Sequence, residues 1–506
     1  MPTPGFSQDL ADVVRTSPQA TALRFNGEST SYGQLHALAT DLARELDRLL
    51  PDRERPVCLS VGKSPEAIAL VLATFLTERR VLLPSAGLGE DVLQELARRA
   101  GCSHIVALRS GGGDEGTSLL WTRATDTSTE ASADAAIPED SRLCLTTSGS
   151  TGTPKVVPLP GAGVDRFMAW ATERFGIGPG SGVLSYAPLN FDLSLLDVWT
   201  TLRAGGTVTL VPADRATDAA YLLDVLSGDE VHLVQSVPML FKLLTEAARS
   251  LGRTLPTVRR VVLTGDSTPP DLLRSTGLLC PNAALHNLYG CTETNDSFLY
   301  DITGEDLLAA AAGESWRGLP LGVPLPGVRA VLVDDDGNDI EGAGTGELLV
   351  CTPYQTAGYL DPALNPARFV RRPGAPGRTF YRTGDLVTRS EDGTLFLQGR
   401  NDFQVKVRGV RTNIQEVESV LARHPEVREA VVVPVPDPEA GSRLHALVQR
   451  APGSRLNSLT LLRHCSSRLP RTAIPSSFVI GDEAVPRTST GKPDRQLIRN
   501  RQLVKG

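Results

Sequence analysis

Between Leu145 and Lys155 the chain reads Leu-Thr-Thr-Ser-Gly-Ser-Thr-Gly-Thr-Pro-Lys. Hydroxyls and glycines crowd into a few positions, and the stretch ends on a lysine. Glycines let backbone come close to a ligand, and loop N–H groups with Ser/Thr hydroxyls can ring an anion. The lysine adds a mobile positive charge. Leu143, Cys144 and Leu145 precede the stretch and Val156 and Val157 follow it, so the pattern predicts strand, phosphate-sized loop, strand. It is not a P-loop of the GxxxxGK[ST] kind. Gly149 and Gly152 are too close together, Lys155 follows Pro154, and no Ser/Thr comes next to hold magnesium. A flexible Ser/Thr/Gly linker would need neither the Pro-Lys ending nor the flanking β-branched residues.

Three further stretches carry chemistry. Asn287-Leu-Tyr-Gly-Cys-Thr-Glu293 is an apolar strand breaking into a turn with one carboxylate. Tyr381-Arg-Thr-Gly-Asp385 places another carboxylate after a turn, and Lys492 sits in a Gly/Pro-flanked loop near the C-terminus. Carboxylates suit Mg²⁺ or ribose hydroxyls, and lysines suit phosphates or a substrate carboxylate. Singly, each has an ordinary reading as a solvated turn or a surface lysine. Together they ask for a nucleoside triphosphate and an anionic substrate.

The elements that must position these groups follow from pattern. The 506 residues exceed one compact core and suggest two to four structural units. With 41% hydrophobic and 22% charged residues the composition is that of a globular protein. A net charge of −7 points to neither nucleic acid nor an anionic membrane as partner. No apolar run approaches a membrane span, and the first residues lack a signal peptide's basic and apolar regions. The seven cysteines are scattered, with no CxxC pair. That argues against a metal site or a disulfide framework and for a reduced, cytoplasmic protein.

Helical patterns at 31–50, 64 onward and 89–100 alternate with apolar strands at 56–61 and 81–84, which implies parallel pairing with crossovers. Residues 110–140 read as a polar loop internal to that rhythm. Strands follow at 183–187, 207–211, 231–235, 260–264 and 285–289. Phe191 to Trp199 is apolar at helical spacing, with Asp192 at its entrance as a candidate helix cap. After about 322 the texture becomes short strands and tight turns, an antiparallel region. Asp334-Asp335-Asp336-Gly337 fails the EF-hand spacing and reads as a charged hairpin turn. Gly342-Ala-Gly-Thr-Gly346 precedes a strand and reads as a turn. Beyond 400 the pattern is that of a small α+β domain of about 100 residues.

In their order and over nearly the whole chain, these stretches resemble the adenylate-forming superfamily. That superfamily includes acyl-CoA synthetases, luciferases and the adenylation domains of nonribosomal peptide synthetases. Thr146 to Lys155 looks like its phosphate loop and Tyr289-Gly290-Cys291-Thr292-Glu293 like its YGxTE motif. Gly346-Glu347 through Gly358-Tyr359-Leu360, Tyr381 to Asp385, Gly399 to Lys406 and Gly491 to Arg495 look like its GEL…GYL, YRTGD, GRxDxQVK and GKxDR motifs. The fold expected is α/β. A large N-terminal domain, residues 1–400, holds α/β subdomains and a small antiparallel β region. A small mobile α+β C-terminal domain, residues 401–506, follows, with its hinge at Asp402.

The resemblance implies that a substrate carboxylate attacks the α-phosphorus of ATP, pyrophosphate leaves, and an acyl-adenylate remains. It implies phosphate contacts from Thr147, Ser148, Gly149, Ser150, Thr151, Gly152 and Lys155. Gly265, Asp266, Ser267, Asn287, Tyr289, Gly290 and Cys291 would surround the nucleotide, with Asp385 and Arg400 on the ribose. Glu293 would hold Mg²⁺ beside Thr292, and Lys492 would bridge the substrate carboxylate and phosphate. Val156 stands where the family has Gly, no His follows soon after, and Arg411-Thr412-Asn413 replaces Arg-Ile-Glu. These departures mark an atypical branch.

In amino-acid-activating members the aspartate of Phe191-Asp192-Leu193-Ser194 pairs with the substrate ammonium. A carboxylate in an apolar setting is costly unless a cation meets it. The family's pocket positions would be Asp192, Leu193, Leu196, Ser236, Leu263, Gly265, Leu288, Asp296 and Ser297, the four leucines forming an apolar wall. Asp192-Leu193 with Leu196 is similar to prolyl-activating enzymes. Asp296 suggests instead a second amino group, a hydroxyl or another polar end on the substrate, or else stands solvated outside the pocket, so the substrate's side chain stays open. No carrier domain follows Lys492, and Leu456-Asn457-Ser458-Leu459 lies inside the small domain's own fold, so a separate carrier protein with a phosphopantetheine thiol is the expected acceptor. The expected function is that of a stand-alone amino-acid adenylating ligase of nonribosomal type using ATP and Mg²⁺. The alternatives are an acyl- or aryl-CoA ligase of the same superfamily, or a catalytically silent nucleotide sensor.

Overall fold

The computed structural model describes residues 5–109, 118–123, 137–147, 154–228, 230–312, 318–334, 336–400, 404–437 and 441–486, with 493, 495 and 497–499. The chain divides into two compact units. One comprises Met1–Ala86, Ala97–Thr146 and Val156–Gly399. The other comprises Gly87–Leu96, Thr147–Lys155 and Arg400–Gly506.

In the larger unit a nine-stranded sheet runs in the order Val323–Pro324, Asn295–Ile302, Ala284–Cys291, Arg260–Thr264, Leu233–Ser236, Gly182–Ser185, Thr207–Leu210, Thr21–Phe25, Glu28–Ser31. Its central pairs are parallel and its outer hairpins antiparallel, as the alternation of strand and helix in the sequence requires. A six-stranded sheet has the order Ser118–Arg123, His104–Arg109, Val57–Leu59, Val81–Leu83, Ser141–Thr147, Lys155–Pro160. The helix Pro65–Leu76 has apolar residues all round and is buried from Ala67 to Phe75, as a helix without a polar face must be. Its start is fixed by Pro65 in the first turn and by the Ser64 side chain, which accepts from Ala67 N–H at 3.2 Å. The predicted helix after Ser31 is Tyr32–Leu49, closed by a capping box between Ser31 and Gln34 with Leu35, Leu42 and Leu46 inside.

The antiparallel region is a five-stranded sheet built on Gly344–Cys351 and Thr379–Arg389. The Asp334 carboxylate accepts from the N–H groups of Asp336 at 3.0 Å and Asn338 at 2.8 Å, so this is a hairpin turn; Asp335 lies outside the described residues.

The smaller unit holds the pair Gln404–Val407 and Val410–Asn413, the helices Ile414–Ala422 and Ser458–Ser466, and a three-stranded sheet of Val427–Asp437, Gly441–Arg450 and Ser477–Gly481. Val417, Leu421, Val432, Ala446, Val448 and Leu461 form its core. Asn457 caps the helix that follows it, accepting from Thr460 N–H at 3.0 Å. None of the seven cysteines, all of them described, is in a disulfide. Among the described residues, no helix is long and apolar enough to cross a membrane.

Two readings of local structure change. The apolar run 191–199 turns helical late, as the π-helix Leu195–Thr200, which continues into a short α-helix Thr201–Arg203. Asp192 is not its cap. Ser194 holds that position without a side-chain cap bond, and Asp192 offers the helix only its carbonyl, 2.9 Å from Leu195 N–H.

Candidate active site

Four carboxylates of the larger unit lie in or between its strands and helices: Asp385 and Asp296 within strands, Glu293 in a turn and Asp192 in a loop. Asp385 lies within Thr379–Arg389, where a register shift opposite Glu347–Leu349 interrupts the ladder. Gly384 takes φ +71°, which favours glycine. Its N–H donates to Glu347 Oε1 at 3.2 Å, while Arg382 pairs with the other Glu347 oxygen. Thr383 Oγ1 donates to Leu348 O at 2.7 Å and accepts from Asp385 N–H at 3.0 Å. Held this way, Asp385 is 6% exposed and accepts a 2.5 Å hydrogen bond from the Tyr289 hydroxyl. Burial, reinforced by the Asp385 charge, pushes the Tyr289 phenol well above its usual range, so it remains a donor.

Glu293 sits in the turn between Ala284–Cys291 and Asn295–Ile302 and is 1% exposed. Its Oε1 accepts from the Tyr359 hydroxyl at 2.6 Å, and the Tyr359 and Tyr381 hydroxyls are 3.0 Å apart. Its backbone carbonyl accepts from Thr356 N–H at 3.0 Å. The turn is tight at Gly290. A Cβ there would come within 2.6 Å of Asn295 O and Asp296 Cα, a close approach that only glycine allows.

Asp192 is half-buried and bonded to the side chain of Thr292. Burial raises its pKa, and the charge of Glu293 raises it further. Asp296, also half-buried, is pushed well above the carboxylate range by burial and then by the charge of Asp192. Thr292 and Glu293 are adjacent in the chain, so one turn links the carboxylate at 192 to the carboxylate at 293.

The apolar wall is only partly as expected. Leu196 and Leu288 share one core cluster, and Leu193 is half-buried. Leu263 does not join them. Register pairs Thr264 with Leu288 and Leu263 with Asn287, and Leu263 packs into a different cluster with Leu184, Val234 and Phe241. Ser236 pairs with Leu263 and shares its side. Strand side chains alternate, so a one-residue offset moves a residue to the opposite face. Gln235, Val262 and Thr264 lie on the Leu288 side. Gln235 donates from Nε2 to Leu193 O at 3.3 Å, and its buried Oε1 has no hydrogen-bond partner. The Ser297 hydroxyl is engaged locally, with Thr294 Oγ1 at 3.2 Å and Asn295 O at 3.3 Å.

Of the remaining candidates, Gly265 ends Arg260–Thr264 at φ +79°, and Asp266 Oδ1 accepts from Ser267 N–H at 2.8 Å. Asn287 Nδ2 donates to Pro320 O at 2.8 Å. Cys291 Sγ lies 3.2 Å from Thr294 Oγ1. Thr147 closes the strand before the hydroxyl-rich loop and Lys155 opens the strand after it. Ser148, Gly149, Ser150, Thr151, Gly152, Asp402 and Lys492 lie outside the described residues, as does the side chain of Arg400. Tyr359, Tyr381, Thr383 and Glu347, which hold the carboxylates, were legible only as members of motifs without a role.

The family model described as AMP-binding enzyme matches residues 10–360, and that described as AMP-binding enzyme C-terminal domain matches 416–492. The chain belongs to the AMP-binding enzyme family. The L-proline--[L-prolyl-carrier protein] ligase of Streptomyces coelicolor is 35% identical over 71% of this chain and 65% of its own length, so this chain spans just under two thirds of it. The D-alanine--D-alanyl carrier protein ligase of Bacillus velezensis is 27% identical over 98% of this chain and 100% of its own. Among solved structures, the artificially fused Adenylation-PCP di-domain NRPS NpsA-ThdA from Klebsiella oxytoca aligns with a TM-score of 0.76 at 25% identity, covering 95% of this chain and 94% of that one. These likenesses agree with the adenylate-forming resemblance and with an α/β fold of large N-terminal and small C-terminal parts.

Proposed function

We propose that this AMP-binding enzyme activates an amino acid as its aminoacyl-adenylate and passes the aminoacyl group to the phosphopantetheine thiol of a carrier protein. The observation that carries the reading is the Asp192–Thr292–Glu293 arrangement. A half-buried carboxylate at the edge of an apolar wall, its pKa raised by burial, asks for a cation. A substrate ammonium is such a cation, and bonding it there directs the substrate's own carboxylate along the turn toward Glu293.

In this reading the substrate carboxylate oxygen attacks the α-phosphorus of ATP, and the bond to the bridging oxygen of pyrophosphate breaks. The carrier thiol then attacks the acyl carbon and AMP leaves. Asp385, braced by Tyr289, accepts from the ribose hydroxyls, and Arg400 is assigned to the same ribose by its motif. Thr147 to Gly152 and Lys155 hold the phosphates, Gly265, Asp266 and Tyr289 surround the adenine with Ser267, Asn287, Gly290 and Cys291 also on the nucleotide, and Lys492 neutralises charge between the carboxylate and α-phosphate. The gain is positioning and charge neutralisation. Asp402 is the hinge between the large domain, 1–400, and the small one, 401–506. Among the described residues no cluster of three or more His, Cys, Asp or Glu forms a metal cage. A lone buried carboxylate fits a Mg²⁺ carried on phosphates, which takes only one or two protein carboxylates, and Glu293 would supply it.

For the side chain of the substrate, Asp296 and the free Oε1 of Gln235 favour a donor-bearing group, an amine above all, over plain proline. The test is the intact mass of a phosphopantetheinylated carrier protein after incubation with the enzyme, ATP and candidate amino acids. A mass gain of one aminoacyl group supports the reading; loading by non-amino acids alone contradicts it.

A further inference from the structure

Lys63 precedes the helix Pro65–Leu76, yet its ammonium lies against the far end of another element. It donates to the carbonyls of Ser185 at 2.6 Å, Tyr186 at 2.8 Å and Ala187 at 3.1 Å, where the strand Gly182–Ser185 gives way to the loop carrying Asp192. At the other end of that segment Asp197 stands on the π-helix Leu195–Thr200, fully buried, with neither carboxylate oxygen hydrogen-bonded. Burial lowers the Lys63 pKa and raises that of Asp197, while each charge supports the other. Thr200 Oγ1 donates to Leu195 O at 2.7 Å, satisfying a carbonyl of the widened helix. Such widened turns recur at functional sites.

We infer that Lys63 is a positioning residue for the amino-acid end of the site: its ammonium gathers three carbonyls at the start of the segment 185–197, Asp197 balances that charge from the segment's end, and Asp192 is held between them. The anchor is electrostatic and acts on backbone, so it sets where Asp192 stands without touching substrate. Its kinetic consequence rests on the amino-acid reading above; its structural consequence does not.

The test compares the parent with Lys63→Met and the double variant Lys63→Met/Asp197→Asn. The single variant removes the charge that Asp197 faces and leaves a buried carboxyl that holds its proton to higher pH, so its melting temperature falls relative to the parent, the more so as pH rises. The double variant removes both charges and recovers most of that temperature. Its KM for the amino acid in pyrophosphate exchange nonetheless rises about tenfold or more, while its KM for ATP stays within about twofold. Without ligands, backbone amides of 186–197 exchange hydrogen about tenfold faster than in the parent. Parental exchange rates across that segment would overturn the inference, as would an amino-acid KM equal to the parent's, or one raised no more than that for ATP. If no amino acid supports turnover by the parent, the proposed function fails, and the hydrogen-exchange comparison still decides the role of Lys63.

Discussion

The hydroxyl of Tyr359 donates a 2.6 Å hydrogen bond to Glu293 Oε1, and both residues are almost wholly buried. This bond, with Tyr381 3.0 Å behind it, fixes the orientation of the carboxylate assigned to Mg²⁺. Tyr359→Phe removes the donor and keeps the ring. The expected loss is about 1.5–3 kcal/mol, the range for a hydrogen bond to a charged group. It is read by urea unfolding, together with a raised KM for Mg·ATP. An unchanged unfolding midpoint would mean the bond does not restrain Glu293.

Asp192→Ala should raise the amino-acid KM by about 10–150-fold, the loss of a charge-assisted bond of about 1.5–3 kcal/mol. The KM for ATP should hardly move. Steady-state exchange at saturating ATP checks this, and an unaltered amino-acid KM would remove the ammonium pairing.

Asp296 predicts a pH dependence. Unfolded, its carboxyl titrates near the ordinary 3.8; folded, burial and the Asp192 charge raise it well above that. Between those two values the folded chain keeps a proton that the unfolded chain has released, so this residue's contribution to stability falls as pH rises through that window. Asp296→Asn should therefore gain stability relative to the parent as pH climbs from about 4 toward neutrality, measured as the difference in melting temperature at each pH. A difference constant with pH would contradict the raised value. A cationic side chain on the substrate should bind the parent more tightly as pH rises across the same window, and that trend should vanish in the variant.

Lys492→Ala should lower adenylate formation by about a hundredfold or more, the scale seen when one donor to a developing charge is removed. ATP binding, followed by equilibrium titration, should persist. Unchanged turnover would assign the charge neutralisation elsewhere.

The alternation of strand and helix, the helix starts at Ser31 and Ser64, and the order of the motifs were all legible because each rests on local pattern. The carboxylates at 293 and 385 were legible as motif members. Their partners were not, because Tyr289 and Asp385 meet across 96 residues of sequence and only the fold joins them. The four-leucine wall did not hold, because Leu263 lies on the opposite side of the sheet from Leu288. Both sides of these central strands are buried, so the sequence is apolar on each and gives no parity. Lys63 and Asp197 carried no motif at all, and their relation exists only once the two elements are packed together.

The central claim, that the site takes an amino acid rather than another acid, is met most directly by ATP–pyrophosphate exchange across amino acids and simple aliphatic and aryl carboxylic acids. The account predicts exchange with amino acids, strongest for those with an additional amine or other polar donor on the side chain. Exchange supported only by acids that lack an amino group would contradict it.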